Sequence, residues 1–306
     1  MRKIYVLGSI NMDMVINSAR IPESGETLSG KDFFLNPGGK GANQAVASSK
    51  QDVPTYLIGN VGKDLFGTNL LSSLNEYNVN TTYVKKIDTA SGIAMIIIVD
   101  GDNRILLNGG ANQKIGYDQI ENALNQANEN DIFITQLENN LDAVIKGLEI
   151  AKKKGLITIF NPAPAIKLKD NVYSNVDYLI VNESECEILT NIKPNCKNEA
   201  FKAFKCLQNQ GLKSLIITLG KRGSMCFKKN DYYRIKAHKI KAIDTTAAGD
   251  TFVGAFASQL LKDVNLEKAL NYASICSALT CLKKGAQQAI PTAKEVKQYI
   301  LDSTFK

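Results

Sequence analysis

One histidine, His238, serves the whole 306-residue chain, and no two of its six cysteines stand in a C-x-x-C spacing. Zinc ligands usually come in close pairs, so a zinc centre is set aside and His238 is expected at the surface. The cysteines, Cys186, Cys196, Cys206, Cys226, Cys276 and Cys281, all lie beyond residue 185, a pattern that suits reduced core thiols in a cytoplasm. Long apolar stretches are missing too. The longest, residues 93–99, falls far short of the roughly 20 residues a membrane-spanning helix needs. The opening Met1-Arg2-Lys3 runs straight into Ile4-Tyr5-Val6-Leu7-Gly8, without the apolar length or cleavage site of a secretory leader. A strand from residue 3 is expected instead, in a cytoplasmic protein with no membrane partner.

Basic residues outnumber acidic ones 37 to 30, for a formal charge of +7, but the excess is dispersed. Short runs such as Lys152-Lys153-Lys154, Lys228-Lys229 and Lys283-Lys284 read as solvated helix ends. A nucleic-acid footprint is normally a concentrated stripe, so no nucleic-acid partner is expected, while an anionic small substrate suits the weak positive balance. There is no fixed-period repeat, low-complexity tract or Gly/Ser-rich linker. With 44% hydrophobic and 22% charged residues, the chain has the composition of a globular protein with a sizeable core, which excludes disorder, collagen and coiled coil.

Short runs rich in Ile, Val and Thr alternate with helical patterns, as in parallel strands joined by crossover helices. Strands are expected at residues 3–8, 55–59, 131–137, 156–161, 177–181 and 213–220. The clearest helix places Leu141, Val144, Ile145 and Leu148 at i, i+3, i+4 and i+7. It ends on three lysines before Gly155, a cationic C-terminus with a glycine stop. Two stretches, residues 14–35 and 91–107, hold strand-like pieces and turn residues with no helix between, and read as hairpins of an accessory sheet. The expected architecture is one α/β domain over residues 1–306: a three-layer, doubly wound, mainly parallel sheet flanked by helices, with a small β-sheet lid from those two stretches.

The segment most suggestive of chemistry is Asp244-Thr245-Thr246-Ala247-Ala248-Gly249-Asp250-Thr251-Phe252, which leads into a helix with Phe252, Ala255, Phe256 and Leu260 on one face. Small residues let a ligand approach the backbone, and the first helical N–H groups with the helix dipole attract an anion. Asp250 has two readings: a carboxylate stabilising the helix start, or a proton acceptor beside a bound phosphate. A second cluster, Asn36-Pro37-Gly38-Gly39-Lys40-Gly41-Ala42-Asn43-Gln44, precedes a helical run over residues 45–50 and offers donors to a phosphate or a sugar. It is not the G-x-x-x-x-G-K-[ST] of a P-loop, and Gly8-Ser9-Ile10-Asn11-Met12-Asp13 is not the G-x-G-x-x-G of a dinucleotide fold.

Together with Gln136-Leu137-Glu138, Asn161-Pro162-Ala163-Pro164-Ala165 and Lys284-Gly285-Ala286-Gln287, these segments resemble, in order and spacing, the ribokinase-like (PfkB) carbohydrate kinase family from Gly8 to Pro291. The Gly38-Gly39 loop and Ala248-Gly249-Asp250 are family-wide marks; the others resemble the members that phosphorylate D-ribose. The resemblance implies ATP-dependent phosphorylation of the 5-hydroxyl of D-ribose, giving D-ribose 5-phosphate and ADP. The alternatives are another sugar or nucleoside kinase of the family, such as a deoxyribokinase or a fructokinase, or a non-catalytic sugar-binding regulator. The intact Glu185, Gly249 and Asp250 speak against the last.

By that resemblance Asn11, Asp13, Gly39, Lys40, Gly41, Ala42, Asn43 and Glu138 surround the pentose, whose hydroxyls both donate and accept and so call for mixed amide and carboxylate partners. A polar turn at a strand end is the other reading of Asn11 and Asp13. Asp250 would take the proton of the 5-hydroxyl, and the N–H groups of Ala247, Ala248 and Gly249 would stabilise the transferred phosphoryl group. Asn182-Glu183-Ser184-Glu185 matches the family's N-x-x-E, where Asn182 and Glu185 would serve Mg²⁺ partly through water; an acidic first helical turn is the alternative. Thr218-Leu219-Gly220-Lys221-Arg222-Gly223 resembles the nucleotide loop, or is a β-turn, and Ser274 would lie beside adenine. A potassium ion is implied at the Asp244 side chain and the carbonyls of Thr246, Thr280, Lys283 and Gly285, with a departure at Ala289, where family members often carry a side-chain oxygen. In similar enzymes two lids pair, so a homodimer is expected.

Overall fold

A strand covered on both faces is apolar at nearly every position rather than at alternate ones, and residues 4–7, 132–135 and 157–160, interrupted only by Thr135 and Thr158, have that character. In the computed structural model, which describes residues 2–304, they lie inside a nine-stranded sheet. The first half of the chain supplies β1 (Ile4–Leu7), β2 (Asn11–Asn17), β3 (Lys31–Gly38), α1 (Lys40–Ser49), β4 (Thr55–Gly62), α2 (Leu65–Glu76), β5 (Asn80–Ile87), β6 (Gly92–Val99), β7 (Asp102–Asn108) and α3 (Tyr117–Asn125). Next come β8 (Ile132–Thr135), α4 (Leu141–Lys153), β9 (Ile157–Phe160), β10 (Tyr178–Asn182), α5 (Glu183–Thr190) and α6 (Lys197–Asn209). The chain continues through β11 (Ser214–Thr218), β12 (Ser224–Lys228), β13 (Asp231–Ile235), α7 (Ala248–Leu261), α8 (Leu266–Thr280) and α9 (Ala293–Thr304).

The large sheet has the order β13-β12-β11-β10-β9-β8-β1-β4-β5. Its seven strands from β11 to β5 are mutually parallel, and β12 and β13 extend one edge antiparallel. Successive side chains of a strand point to opposite faces. Ile4, Val6, Ile132, Ile134, Ile180 and Ile216 therefore join the core under α1, α7 and α8, while Tyr5, Leu7, Phe133, Leu179, Val181 and Leu215 join the one under α3, α4 and α6. All six expected strands occur. The antiparallel β12–β13 hairpin and the edge strand β5 were not anticipated: β5 and β13 are exposed or half-buried at nearly every position and lack the apolar run that marks a buried strand.

The two expected hairpins form one four-stranded sheet of order β3-β2-β6-β7, because β2 and β6 pair in parallel from Asn11↔Gly92 to Asn17↔Ile98. Its strands reach beyond residues 14–35 and 91–107, to Asn11, Gly38 and Asn108, which brings Asn11 and Asp13 into the sheet itself. Three further expectations need correction. Helix α1 starts at Lys40, not residue 45, because Gly39 turns the chain with φ +90°. His238 is half-buried, edge-on to Tyr299. The cysteines are free, but Cys196 is exposed and Cys206 half-buried, so only four of the six are core thiols.

Helix α7 packs across α1 at Gly254. A Cβ there would stand 2.6 Å from the Ala47 Cβ and 2.6 Å from the Gln44 carbonyl oxygen. Gly254→Ala is therefore expected to force the two helices apart and cost about 1–3 kcal/mol; an unchanged urea midpoint would show that this contact has slack.

Candidate active site

Ligands of open α/β sheets bind outside the carboxyl ends of the strands, and the polar segments gather there. Beyond β1, Gly8 and Gly41 pass so closely that a Cβ on Gly41 would stand 2.4 Å from the Gly8 Cα. Ala42 gives its N–H to the Ser9 carbonyl at 2.9 Å. Gly41 and Ala42 are thus buried docking positions that set α1 against β1. The loop after β8 supplies Glu138, whose Oε2 accepts from Ser9 Oγ at 2.6 Å, from the Lys40 N–H at 3.1 Å and from Asn11 Nδ2 at 3.4 Å. The Lys40 amide opens α1, where the helix dipole favours a carboxylate. Asn112 accepts the Ile10 N–H at 3.0 Å and donates to Asn11 Oδ1 at 2.7 Å, so both ends of the Asn11 amide are held.

Asp250 is 8% exposed, yet it does not cap its own helix: α7 has no side-chain cap. Its Oδ2 accepts from Asn43 Nδ2 and its Oδ1 from Gln44 Nε2, each at 3.0 Å. Ala247 precedes α7 in the left-handed region, φ 59°, a conformation that costs a non-glycine residue about 1–2 kcal/mol. The Ala248 N–H turns back onto the Thr245 carbonyl at 3.2 Å. At Gly249 a Cβ would meet nothing within 4 Å, so open space lies over the first turn of α7.

Asp13, 8% exposed on β2, lies over Gly38, where a Cβ would meet its carboxylate at 2.3 Å. Burial, then the neighbouring Glu138 and Asp250 carboxylates, push its pKa up to about 7, with Lys40 opposing. Burial disfavours the Lys40 ammonium, but Asp250, Glu138, Glu185 and Asp13 together outweigh it and hold its pKa above the usual lysine value. Burial also raises Glu185, against the Asn182 backbone N–H and Lys40, with Asp250 adding to the rise. Four carboxylates from four separate elements therefore share one basin with one lysine.

The family model described as pfkB family carbohydrate kinase matches residues 1–293. The chain belongs to the pfkB family of carbohydrate kinases. It is 41% identical to the ribokinase of Schizosaccharomyces pombe over 97% of both chains. It is 33% identical to the deoxyribokinase of Salmonella typhi over 97% of this chain and 98% of that one. The solved structure of Arabidopsis thaliana ribokinase complexed with ribose and ATP is similar with a TM-score of 0.90 at 30% identity, over 97% of this chain and 98% of that one.

The remaining segments of this pfkB kinase follow the carboxyl ends of β10 and β11 or flank the start of α7. Asn182 and Glu185 form a capping box on α5: the Asn182 N–H donates to Glu185 Oε2 and the Glu185 N–H to Asn182 Oδ1, both at 2.8 Å. Thr218 ends β11 half-buried and donates its hydroxyl to the Val181 carbonyl at 3.3 Å. Gly220 and Gly223 turn the chain with φ +51° and +84°, and the Leu219 N–H closes the turn on the Gly223 carbonyl at 2.7 Å. The Leu219 side chain is buried in the core, Lys221 is exposed, and Arg222 pairs with Glu183. Ser274 is buried on α8, one turn before Ser277, whose hydroxyl donates to the Ala248 carbonyl at 2.9 Å. Asp244 ties two loops, accepting from Thr246 N–H at 2.9 Å, Thr246 Oγ1 at 2.7 Å and Gly285 N–H at 2.9 Å. The Thr280 carbonyl accepts from Lys283 N–H at 3.2 Å, and Ala289 is fully buried nearby in the chain.

Ser9, Gln44, Asn112, Gln136 and Asn161 hold this site together without having been expected as site residues. Four lie inside quoted motifs; Asn112 carries no sequence signal. The Asp13 shift has a consequence for stability. A carboxyl with a raised folded pKa stabilises the fold below its unfolded pKa, near 3.8, and loses that contribution as pH rises toward 7. Relative to Asp13→Asn, the wild type should therefore lose unfolding free energy between pH 4 and 7, by at most about 4 kcal/mol; parallel curves for the two proteins would show that Asp13 is not strained by burial.

Proposed function

We propose that this chain transfers the γ-phosphoryl group of ATP to the 5-hydroxyl of D-ribose. The observation that carries the reading is the placement of Asp250: a carboxylate held by two amide donors at the start of α7, beside open space at Gly249, in the same basin as Asn11, Asp13, Lys40, Asn43 and Glu138. The S. pombe relative is named a ribokinase, and the Arabidopsis ribokinase of the same fold binds ribose and ATP.

In this reading Asp13 and Glu138 accept from ribose hydroxyls, Asn11 and Asn43 serve hydroxyls of either polarity, Lys40 donates, and the Gly39 turn leaves room for the ring. Asp250 removes the proton of the 5-hydroxyl as it attacks, and general-base assistance of this kind contributes about 10²- to 10⁴-fold. The N–H groups of Ala247 and Gly249 face developing phosphoryl charge, and that of Ala248 joins them on leaving Thr245. Thr218, Gly220 and Gly223 bring backbone close to the nucleotide, with Leu219, Lys221 and Arg222 shaping the turn and Ser274 bordering the base. Asn182 and Glu185 suit a hydrated Mg²⁺, because the capping box leaves one Glu185 carboxylate oxygen uncommitted; when bound, the ion would offset phosphate charge. Asp244, Thr246, Thr280, Lys283 and Gly285 suit a potassium ion, which would support the loop before α7. The Asp244 carboxylate already accepts three donors and Ala289 offers only its carbonyl, so water would complete that shell.

The four-stranded sheet leaves Phe33, Phe34, Leu35, Met95, Ile105, Leu106 and Leu107 exposed. Apolar patches of this kind mark contact surfaces, and we assign this one to the same sheet of a second copy, in a homodimer whose lids cover the two sugar sites. No described helix is long and apolar enough to cross a membrane, and reduced thiols with ATP suit the cytoplasm. The Salmonella relative named a deoxyribokinase keeps 2-deoxyribose as the second reading.

Asp250→Asn should keep ribose binding and lose at least about 10² in kcat; near-normal turnover would remove Asp250 from the chemistry. Asp13→Ala should act mainly by raising the KM for ribose, since it strands buried hydroxyls. A coupled assay over a sugar panel, with potassium or choline chloride, should give ribose the highest kcat/KM and a faster rate in potassium. A higher kcat/KM for 2-deoxyribose would overturn the ribose assignment, and equal rates in the two salts would remove the cation.

A further inference from the structure

Gln44 is fully buried in α1, and its amide is bonded on every side. Its Nε2 lies 3.0 Å from Asp250 Oδ1 and 3.0 Å from Asn161 Oδ1, and its Oε1 accepts from Gln136 Nε2 at 2.7 Å. Asn161 in turn donates from Nδ2 to the Ile180 carbonyl at 2.9 Å.

The direction of every bond follows from one end of this chain. A backbone carbonyl can only accept, so Asn161 must turn its NH₂ to Ile180 and its oxygen to Gln44. Gln44 then presents its NH₂, with one hydrogen for Asn161 and one for Asp250, and its oxygen faces Gln136. Reversing either amide would leave buried oxygens facing each other, at the cost of unsatisfied polar groups. Asp250 thus receives a donor that cannot rotate away. A donor of this kind fixes the direction in which the carboxylate oxygens point. Asn43 differs, because its own Oδ1 is buried without a partner among the described residues, so its amide is held only at the end that meets Asp250.

We propose that Gln44 is the positioning residue of the reaction, holding the Asp250 carboxylate in one orientation, with its own amide set by Asn161 and Gln136. The proposal rests on Asp250 as the base. Gln44→Glu sets an oxygen against Asp250 with no change of size, and Gln44→Met removes the donor without adding charge. Steady-state kinetics across pH are expected to show kcat lowered at least about tenfold in both. In Gln44→Glu the acidic limb of the kcat profile should also move up by about one pH unit or more, as like charges raise the pKa of the pair. Gln136→Met, which does not touch Asp250, should shift kcat in the same direction by less and leave the ribose KM within about threefold, and it serves if the Gln44 variants do not fold. A lowered melting temperature with kcat and the acidic limb unmoved would overturn the proposal and leave Gln44 a packing residue. Near-normal turnover in Asp250→Asn would instead overturn the base reading beneath it.

Discussion

Burying a carboxylate is unfavourable unless donors meet it, and both side-chain donors that meet Asp250 belong to another helix. Asn43 and Gln44 stand in the first turns of α1, while Asp250 stands in the first turn of α7. The site therefore exists only while the N-termini of these helices lie side by side. Two glycine contacts bring them there: Gly41 lets α1 settle on Gly8 at the end of β1, and Gly254 lets α7 settle on α1. Packing at these two glycines sets the direction in which the Asp250 carboxylate points.

The same placement explains the charge of the basin. Asp13, Glu138, Glu185 and Asp250 come from β2, the loop after β8, α5 and α7, and Lys40 is a cation that opposes all of them. Such an excess of carboxylate adds to burial in pushing the Asp13 pKa up. It suits a polyhydroxylated ligand, whose O–H groups satisfy the acceptors. The Lys40 backbone N–H bonds Glu138 while its ammonium faces the acids, so one residue links the helix dipole to the acidic basin.

Much of the architecture was legible from patterning, because strands covered on both faces must be apolar throughout and helices covered on one face must repeat near 3.6 residues. The six central strands and α4 were located to within a few residues on that basis. What escaped includes both sheet edges, β5 and β13, where burial is partial and charged and apolar residues mix; β12, though mostly buried, is a five-residue strand paired antiparallel outside the alternating pattern. Cys196 and His238 were misplaced for a related reason, since residue type gives only an average burial. The early start of α1 was hidden by Gly39 and Gly41, which read locally as loop and act structurally as a turn and a close contact.

For the site, linear order was enough to mark the glycine segments, the Asp250 turn and the N-x-x-E of α5, because each is a local device whose residues work next to one another in the chain. Which acids would share a basin, that Asp250 would be held by α1 rather than cap α7, and that Asn112 would anchor Asn11 were settled only by the tertiary structure. Those relations join residues about 100 to 200 positions apart, and their hydrogen bonds form only when strand order and helix packing bring the partners within 3 Å or so.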